Sequence, residues 1–130
     1  MEISVLIVDD SAVMRKIIGR SIRQTATDVL KEVYEASDGL EALAELDKHD
    51  VSIIFSDVNM PKMSGMEFLR ALGESPHKGK PVIMVTTESV EKTVMEALSL
   101  GAVGFVRKPF EAYQLESVIR QALERLKTPT

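Results

Sequence analysis

Five positions carry residue types that could do chemistry together. Asp9 and Asp10 follow the apolar run Val5-Leu6-Ile7-Val8, and Asp57 follows Ile53-Ile54-Phe55-Ser56. Thr86, with Thr87 beside it, follows Val82-Ile83-Met84-Val85, and Lys108 follows the shorter run Gly104 to Val106. Three carboxylates brought close together repel, and some must take up protons unless a positive group joins them. Carboxylate and carbonyl oxygens without nitrogen or sulfur ligands suit a hard cation. Magnesium fits, because it takes one or two carboxylates and keeps several waters, leaving positions for phosphate oxygens. Lys108 adds a second positive charge as a flexible partner for phosphate, and Thr86 adds a hydroxyl donor. The set reads as a site for a phosphoryl group, with one carboxylate available as nucleophile.

Taken singly, Asp9-Asp10 could be a turn and a helix cap, Asp57 could cap a loop, and Lys108 could be plain surface. Their joint placement depends on the elements around them. Val5 to Val8, Ile53 to Phe55 and Val82 to Val85 are apolar without alternation and rich in β-branched residues, as strands buried on both faces are. Glu32 to Ala36 and Gly104 to Val106 are weaker strand candidates. Helical spacing appears between them. Val13, Met14, Ile17, Ile18 and Ile22 form one stripe behind an N-cap at Ser11 or Asp10, and Arg15, Lys16, Arg20 and Arg23 form a solvated face. Gly39 to Lys48 carries Leu43 and Leu46, and Met66 to Leu72 carries Phe68, Leu69 and Leu72. Glu91 to Leu100 carries Val94, Ala97 and Leu98 before a C-capping Gly101. Ala112 to Lys127 carries Leu115, Val118, Ile119, Ala122, Leu123 and Leu126.

This β-α alternation, five times over, predicts an α/β doubly wound parallel sheet with helices on both faces. In the strand order 2-1-3-4-5 the first and third strands flank the point where the order reverses. Ligands bind there, beyond the carboxyl ends of the strands. All five chemical positions lie at that edge.

The 130 residues carry a net charge of −4, with 45% hydrophobic and 28% charged residues, which excludes a disordered or fibrous chain. One domain over residues 1–130 is expected, ordered over about 2–127 with a frayed tail. The chain has no cysteine, so disulfides, thiolate zinc sites and cysteine nucleophiles are excluded. The acidic balance argues against nucleic acid. No apolar stretch approaches the ~20 residues of a membrane span, and Met1-Glu2 does not open a signal peptide. A cytoplasmic protein is expected. His49 and His77 sit in polar contexts and read as surface, and the seven Met residues read as core filling.

Asp9-Asp10, Asp57 followed by Met60-Pro61 and Gly65, Thr86, and Lys108-Pro109-Phe110 together resemble the signature of two-component response-regulator receiver domains. The match spans essentially the whole chain, in order and in register. The segments Asp57-Val58-Asn59-Met60-Pro61 and Gly104 to Phe110 are most similar to stand-alone chemotaxis receivers. The resemblance implies a flavodoxin-like fold without an output domain. It implies a phosphoryl group accepted on Asp57 from a histidine kinase, so the protein is a switch and not an enzyme beyond its own phosphorylation and dephosphorylation. Asp10, Asp57 and the carbonyl of Asn59 would ligate Mg2+, with Asp9 acting through water or orienting the set. Lys108 would pair with Asp57 and then with the phosphoryl group, and Thr86 would bind a phosphoryl oxygen. Phe105 would be an aromatic rotamer switch, although a Phe in a short strand is by itself more often core. Asn59 and Glu88 would tune the lifetime of the phosphorylated state, and Lys108-Pro109 would be cis.

The implied partners are a chemotaxis kinase, a flagellar motor switch protein and a phosphatase, met by a monomer through a face including Val90, Met95, Phe105 and Tyr113. Three departures bear on that last step. Val58 replaces a Trp, Phe105 replaces a Tyr, and Ser64 stands where an acidic or amide residue is common. A stand-alone phosphorelay or motility regulator passing phosphate to a histidine phosphotransfer protein is the alternative. A magnesium-dependent phosphatase with an Asp nucleophile is more remote, since such enzymes carry Asp-x-Asp where this chain has adjacent aspartates. A flavodoxin-like cofactor binder ranks last, because the loop after the first strand lacks glycine and a Ser/Thr-rich phosphate cradle.

Overall fold

Five strands alternate with five helices in a computed structural model that describes residues 2–87 and 90–127. In chain order they are β1 (Ile3–Val8), α1 (Ala12–Thr25), β2 (Leu30–Ala36), α2 (Gly39–Lys48), β3 (Ile53–Ser56), α3 (Gly65–Gly73), β4 (Val82–Thr86), α4 (Glu91–Ser99), β5 (Gly104–Arg107) and α5 (Ala112–Lys127). The strands form one parallel sheet in the order β2-β1-β3-β4-β5. This is the expected doubly wound order, with β1 and β3 paired across the reversal point.

The absence of alternation in the strands has a direct cause. Successive side chains point to opposite faces, and each face carries its own core. Leu6, Val8, Ile54 and Met84 pack with Leu46, Phe68, Leu69 and Ala97 beneath α2, α3 and α4. Val5, Ile7, Ile53, Phe55, Ile83, Val85 and Val106 pack with Ile18, Ile22, Leu115 and Ile119 beneath α1 and α5.

Helix α1 departs from the expected stripe. Its buried face is Ile18, Gly19 and Ile22, while Val13 is 69% exposed and Ile17 45% exposed. Gly19 belongs to that face, where a Cβ would lie in ordinary contact 3.6 Å from the Ile7 side chain, and Val13 and Ile17 fall on the helix's outer flank. On α4 the same correction applies to Leu98, which is exposed, leaving Ala97 as that helix's one buried residue. The two histidines are held more firmly than a bare surface reading implies. His49 stacks on Tyr34 with ring centroids 3.9 Å apart, and His77 Nε2 lies 2.8 Å from Asp47 Oδ1. Both follow helices, at the amino-terminal edge of the sheet.

Caps set where helices begin. Ser11 Oγ accepts from the Met14 N–H, which makes Ser11 rather than Asp10 the cap of α1. Gly101 follows α4 with φ +107°, the left-handed conformation that ends a helix cheaply only at glycine. Helix α3 opens with a capping box: Ser64 Oγ accepts from the Glu67 N–H at 3.2 Å, and Glu67 Oε1 accepts from the Ser64 N–H at 3.0 Å. The Ser64 departure is thus a helix cap.

Hydrogen bonding from Ser64, its backbone N–H foremost and its side chain second, holds the Glu67 carboxyl below its ordinary value. A lowered carboxylate stabilises the fold above its unfolded value, and that contribution is lost as pH falls through the folded value. Replacing Ser64→Ala should cost about 1 kcal/mol in a urea melt at pH 7. The difference in stability between wild type and Glu67→Gln should narrow as the melts are taken below the ordinary carboxylate range.

Candidate functional site

Each chemical side chain is placed by one further step of the sheet ladder. The Asp9 N–H donates to the Ala36 carbonyl at the end of β2, at 3.0 Å. The Asp57 N–H donates to Val8 O at the end of β1 at 2.9 Å, and the Lys108 N–H to Thr86 O at the end of β4 at 2.7 Å. The last ordered rung of each strand pair therefore fixes a site residue, and the three converge beyond the carboxyl edge.

There Lys108 Nζ donates to Asp9 Oδ2 at 2.7 Å and to Asp57 Oδ2 at 3.1 Å. Asp57 Oδ1 accepts from the Val58 N–H at 2.6 Å and, more weakly, from the Asn59 N–H at 3.3 Å. Asp9 Oδ1 accepts from the Ser11 N–H at 2.9 Å. Asp9 and Asp57 are buried, while Asp10 is exposed. Burial pushes the Asp9 carboxyl above its ordinary value, against the pull of Lys108 and the Ser11 N–H. Burial alone would lower the Lys108 ammonium, but the hydrogen bonds and charges of Asp9 and Asp57 outweigh it and hold it above its ordinary value. Lys108 is thus a fixed positive charge at neutral pH.

One oxygen from each of Asp9, Asp10 and Asp57 can be chosen so that all lie within 4.8 Å of one another. An all-oxygen set with an exposed member, next to the exposed Asn59, has the chemistry of a hard-cation site with open positions. The arrangement leaves Asp57 as a buried carboxylate with one face toward that opening.

Thr86 is fully buried at the end of β4. Met84 pairs with Phe105 in the sheet, so by alternation Thr86, Met84 and Phe105 share one face. Phe105 is half-buried there against the core beneath α3 and α4. Val90, Met95 and Tyr113 are 58%, 60% and 68% exposed. Thr87 is exposed. Glu88 lies outside the described residues. The Lys108-Pro109 peptide is cis.

Two further residues contribute in ways that spacing does not show. Gly65 opens α3 directly under the loop that carries Asp57. Its N–H donates to Val58 O at 2.7 Å, and an added Cβ would fall 2.1 Å from the Asp57 carbonyl oxygen and 2.8 Å from Val58 Cα. The close approach of backbone to backbone is what requires glycine. Arg15, read from helical spacing as solvated, instead folds back: its Nη1 donates to the Asp9 carbonyl at 2.7 Å and its Nε to Glu35 at 2.8 Å. A long side chain reaching toward its own helix's N-terminus leaves no mark in spacing.

A family profile described as "Response regulator receiver domain" matches residues 5–120. The chain is 36% identical over 123 residues to a protein named "Chemotaxis protein CheY-3" of Vibrio cholerae, covering 94% of this chain and 92% of that one. It is 37% identical over 120 residues to a "Chemotaxis protein CheY homolog" of Campylobacter jejuni, covering 91% and 90%. A solved structure of chemotaxis protein CheY4 of Vibrio cholerae superposes with a TM-score of 0.82 at 36% identity, covering 94% of this chain and 99% of that one.

Gly65→Ala should cost about 2 kcal/mol or more in a urea melt, because rigid backbone must shift to admit one methyl. Gly39→Ala is the control. The nearest atoms to its added Cβ belong to the Met63 side chain, Cγ at 2.6 Å and Cβ at 3.0 Å, so a side chain rather than packed backbone must give way. Its loss of stability should be the smaller of the two.

Proposed function

This chain belongs to the response-regulator receiver family, and on that premise we propose that Asp57 is its phosphoacceptor and that the phosphoryl group resets a partner-binding face. The observation that carries the reading is the bridge of Lys108 Nζ to both Asp9 and Asp57 beside an exposed third carboxylate. A histidine kinase supplies the phosphoryl group. Asp57 Oδ attacks phosphorus, the P–N bond to the kinase imidazole breaks, and that nitrogen keeps the electron pair. The product is an aspartyl phosphate. Asp10, Asp57 and the Asn59 carbonyl would hold Mg2+, with Asp9 orienting them, and the ion would supply charge neutralisation at the transferring oxygens. Lys108 supplies the same from the other side, already aligned on Asp57.

The switch follows from the shared face of β4 and β5. A phosphoryl oxygen offers the Thr86 hydroxyl an acceptor at the edge of the sheet. Movement of Thr86 toward it opens room for Phe105 to turn inward. Helix α4 is the least anchored neighbour, with one buried residue and an N-cap, Val90, that makes no side-chain hydrogen bond. The face containing Val90, Met95, Phe105 and Tyr113 is therefore the readout. Both arrangements must lie within a few kcal/mol of each other for one phosphoryl group to select between them.

Chemotaxis relatives of nearly equal length support a role in the cytoplasm between a chemotaxis kinase and the flagellar motor switch. Asn59, exposed beside Asp57, borders the path of the hydrolytic water and tunes how long the signal lasts.

Intact-mass measurement after incubation with acetyl phosphate and Mg2+ should show one added phosphoryl group. The gain should vanish in Asp57→Asn and when Mg2+ is chelated. Labelling of Asp57→Asn equal to wild type would remove Asp57 from the role. Mg2+ at a hundredfold above its Kd should stabilise the wild type by about 2.7 kcal/mol in thermal melts. Asp10→Asn should lose most of that increment.

A further inference from the structure

The position of Arg15 is unfavourable by the rules of its own helix. It lies in the first turn of α1, where the helix dipole disfavours a cation, and that turn holds no acidic residue to offset it. Its side chain nevertheless turns inward and is 18% exposed. Nη1 donates to the Asp9 carbonyl at 2.7 Å, and Nε donates to Glu35 Oε1, one residue from the end of β2, at 2.8 Å. Two donors of one rigid guanidinium thus connect the neighbouring strand to the peptide that joins Asp9 to Asp10.

That peptide is the one whose orientation decides where Asp10 points. Asp9 is held on every side: its N–H by Ala36, its Oδ1 by the Ser11 N–H, its Oδ2 by Lys108, and its carbonyl by Arg15. No hydrogen bond to the Asp10 side chain is present among the described residues. Asp10 is therefore placed by its backbone, which two side chains brace: Asp9 Oδ1 through the Ser11 N–H, and Arg15 through the Asp9 carbonyl.

We propose that Arg15 is a positioning residue for the cation site, fixing the Asp9-Asp10 peptide through its bridge to Glu35. The inference rests on the reading of the acidic cluster as an Mg2+ site. It makes a prediction opposite in sign to simple electrostatics. Removing a positive charge near a cation site should tighten cation binding if Arg15 acts only through its charge. Removing a support of a ligand-bearing loop should weaken binding, as loss of outer-shell partners commonly does.

The test is Mg2+ titration of the full chain by calorimetry at fixed ionic strength, with urea melts in chelator to confirm folding. Arg15→Met should bind Mg2+ about tenfold more weakly than wild type. Arg15→Lys keeps the charge but cannot span both acceptors, and it should weaken in the same direction. Glu35→Gln keeps an oxygen acceptor for Nε and should stay close to wild type, while Glu35→Ala should weaken. Unchanged or tighter binding by Arg15→Met overturns the proposal, as does wild-type affinity in Arg15→Lys. If Arg15→Met does not fold, Glu35→Ala decides, and unchanged affinity there overturns it equally. A wild type without saturable Mg2+ binding would instead overturn the metal-site reading beneath it.

Discussion

Two buried carboxylates and a third at the surface, gathered around one ammonium, are the constraint that the rest of this molecule is arranged to meet. At about 4 Å and an effective dielectric of 20, each like-charge pair is worth on the order of 4 kcal/mol of repulsion. Lys108 offsets part of it through Asp9 and Asp57, and backbone N–H groups of Ser11, Val58 and Asn59 take up the other oxygens. The cluster remains short of positive charge, which makes it receptive to a cation and then to a phosphoryl group. The parallel sheet exists, functionally, to bring the ends of β1, β3 and β5 to that point. Gly65 lets α3 close under the loop from β3 without displacing it.

The same sheet gives the site a route outward. Thr86 and Phe105 occupy one face of β4 and β5, over the core that α3 and α4 cover. The core there is thin: Ala97 is the one fully buried side chain that α4 contributes. A helix held so lightly can have two positions of similar energy, as a switch requires. Helix α5, with Leu115, Ile119 and Ala122 buried, is held more firmly on the opposite face of the sheet.

Strand and helix succession and the chemical positions were legible in the sequence because they rest on periodicities and on residue types that few environments tolerate, while the strand order came as an expectation of the doubly wound fold class. Runs such as Val5 to Val8 fit strands covered on both faces, and charged residues directly after such strands lie at the sheet edge. Orientation was less legible, because an apolar stripe reads wider than the face a helix buries. Val13 and Ile17 fit a helical stripe, yet the buried face of α1 is the narrower one of Ile18, Gly19 and Ile22. Leu98 failed for a related reason, because α4 covers little of the core. Arg15 was missed as a site component, and Gly65, though part of the signature, had no role read for it, because both depend on contacts across the chain, Arg15 with Glu35 and Gly65 with the Asp57 carbonyl, and neither contact has a spacing that announces it.

The account stands on Lys108 being the charge that makes the buried carboxylates tolerable, and a double-mutant cycle of Asp9→Asn and Lys108→Met measures that directly. Urea melts of the four proteins in chelator give the coupling between the two side chains. The account predicts that Lys108→Met alone is strongly destabilised and that adding Asp9→Asn recovers much of the loss, a coupling of about 2 kcal/mol or more. Additive effects, with a coupling near zero, would contradict it: the carboxylates would then be accommodated without Lys108.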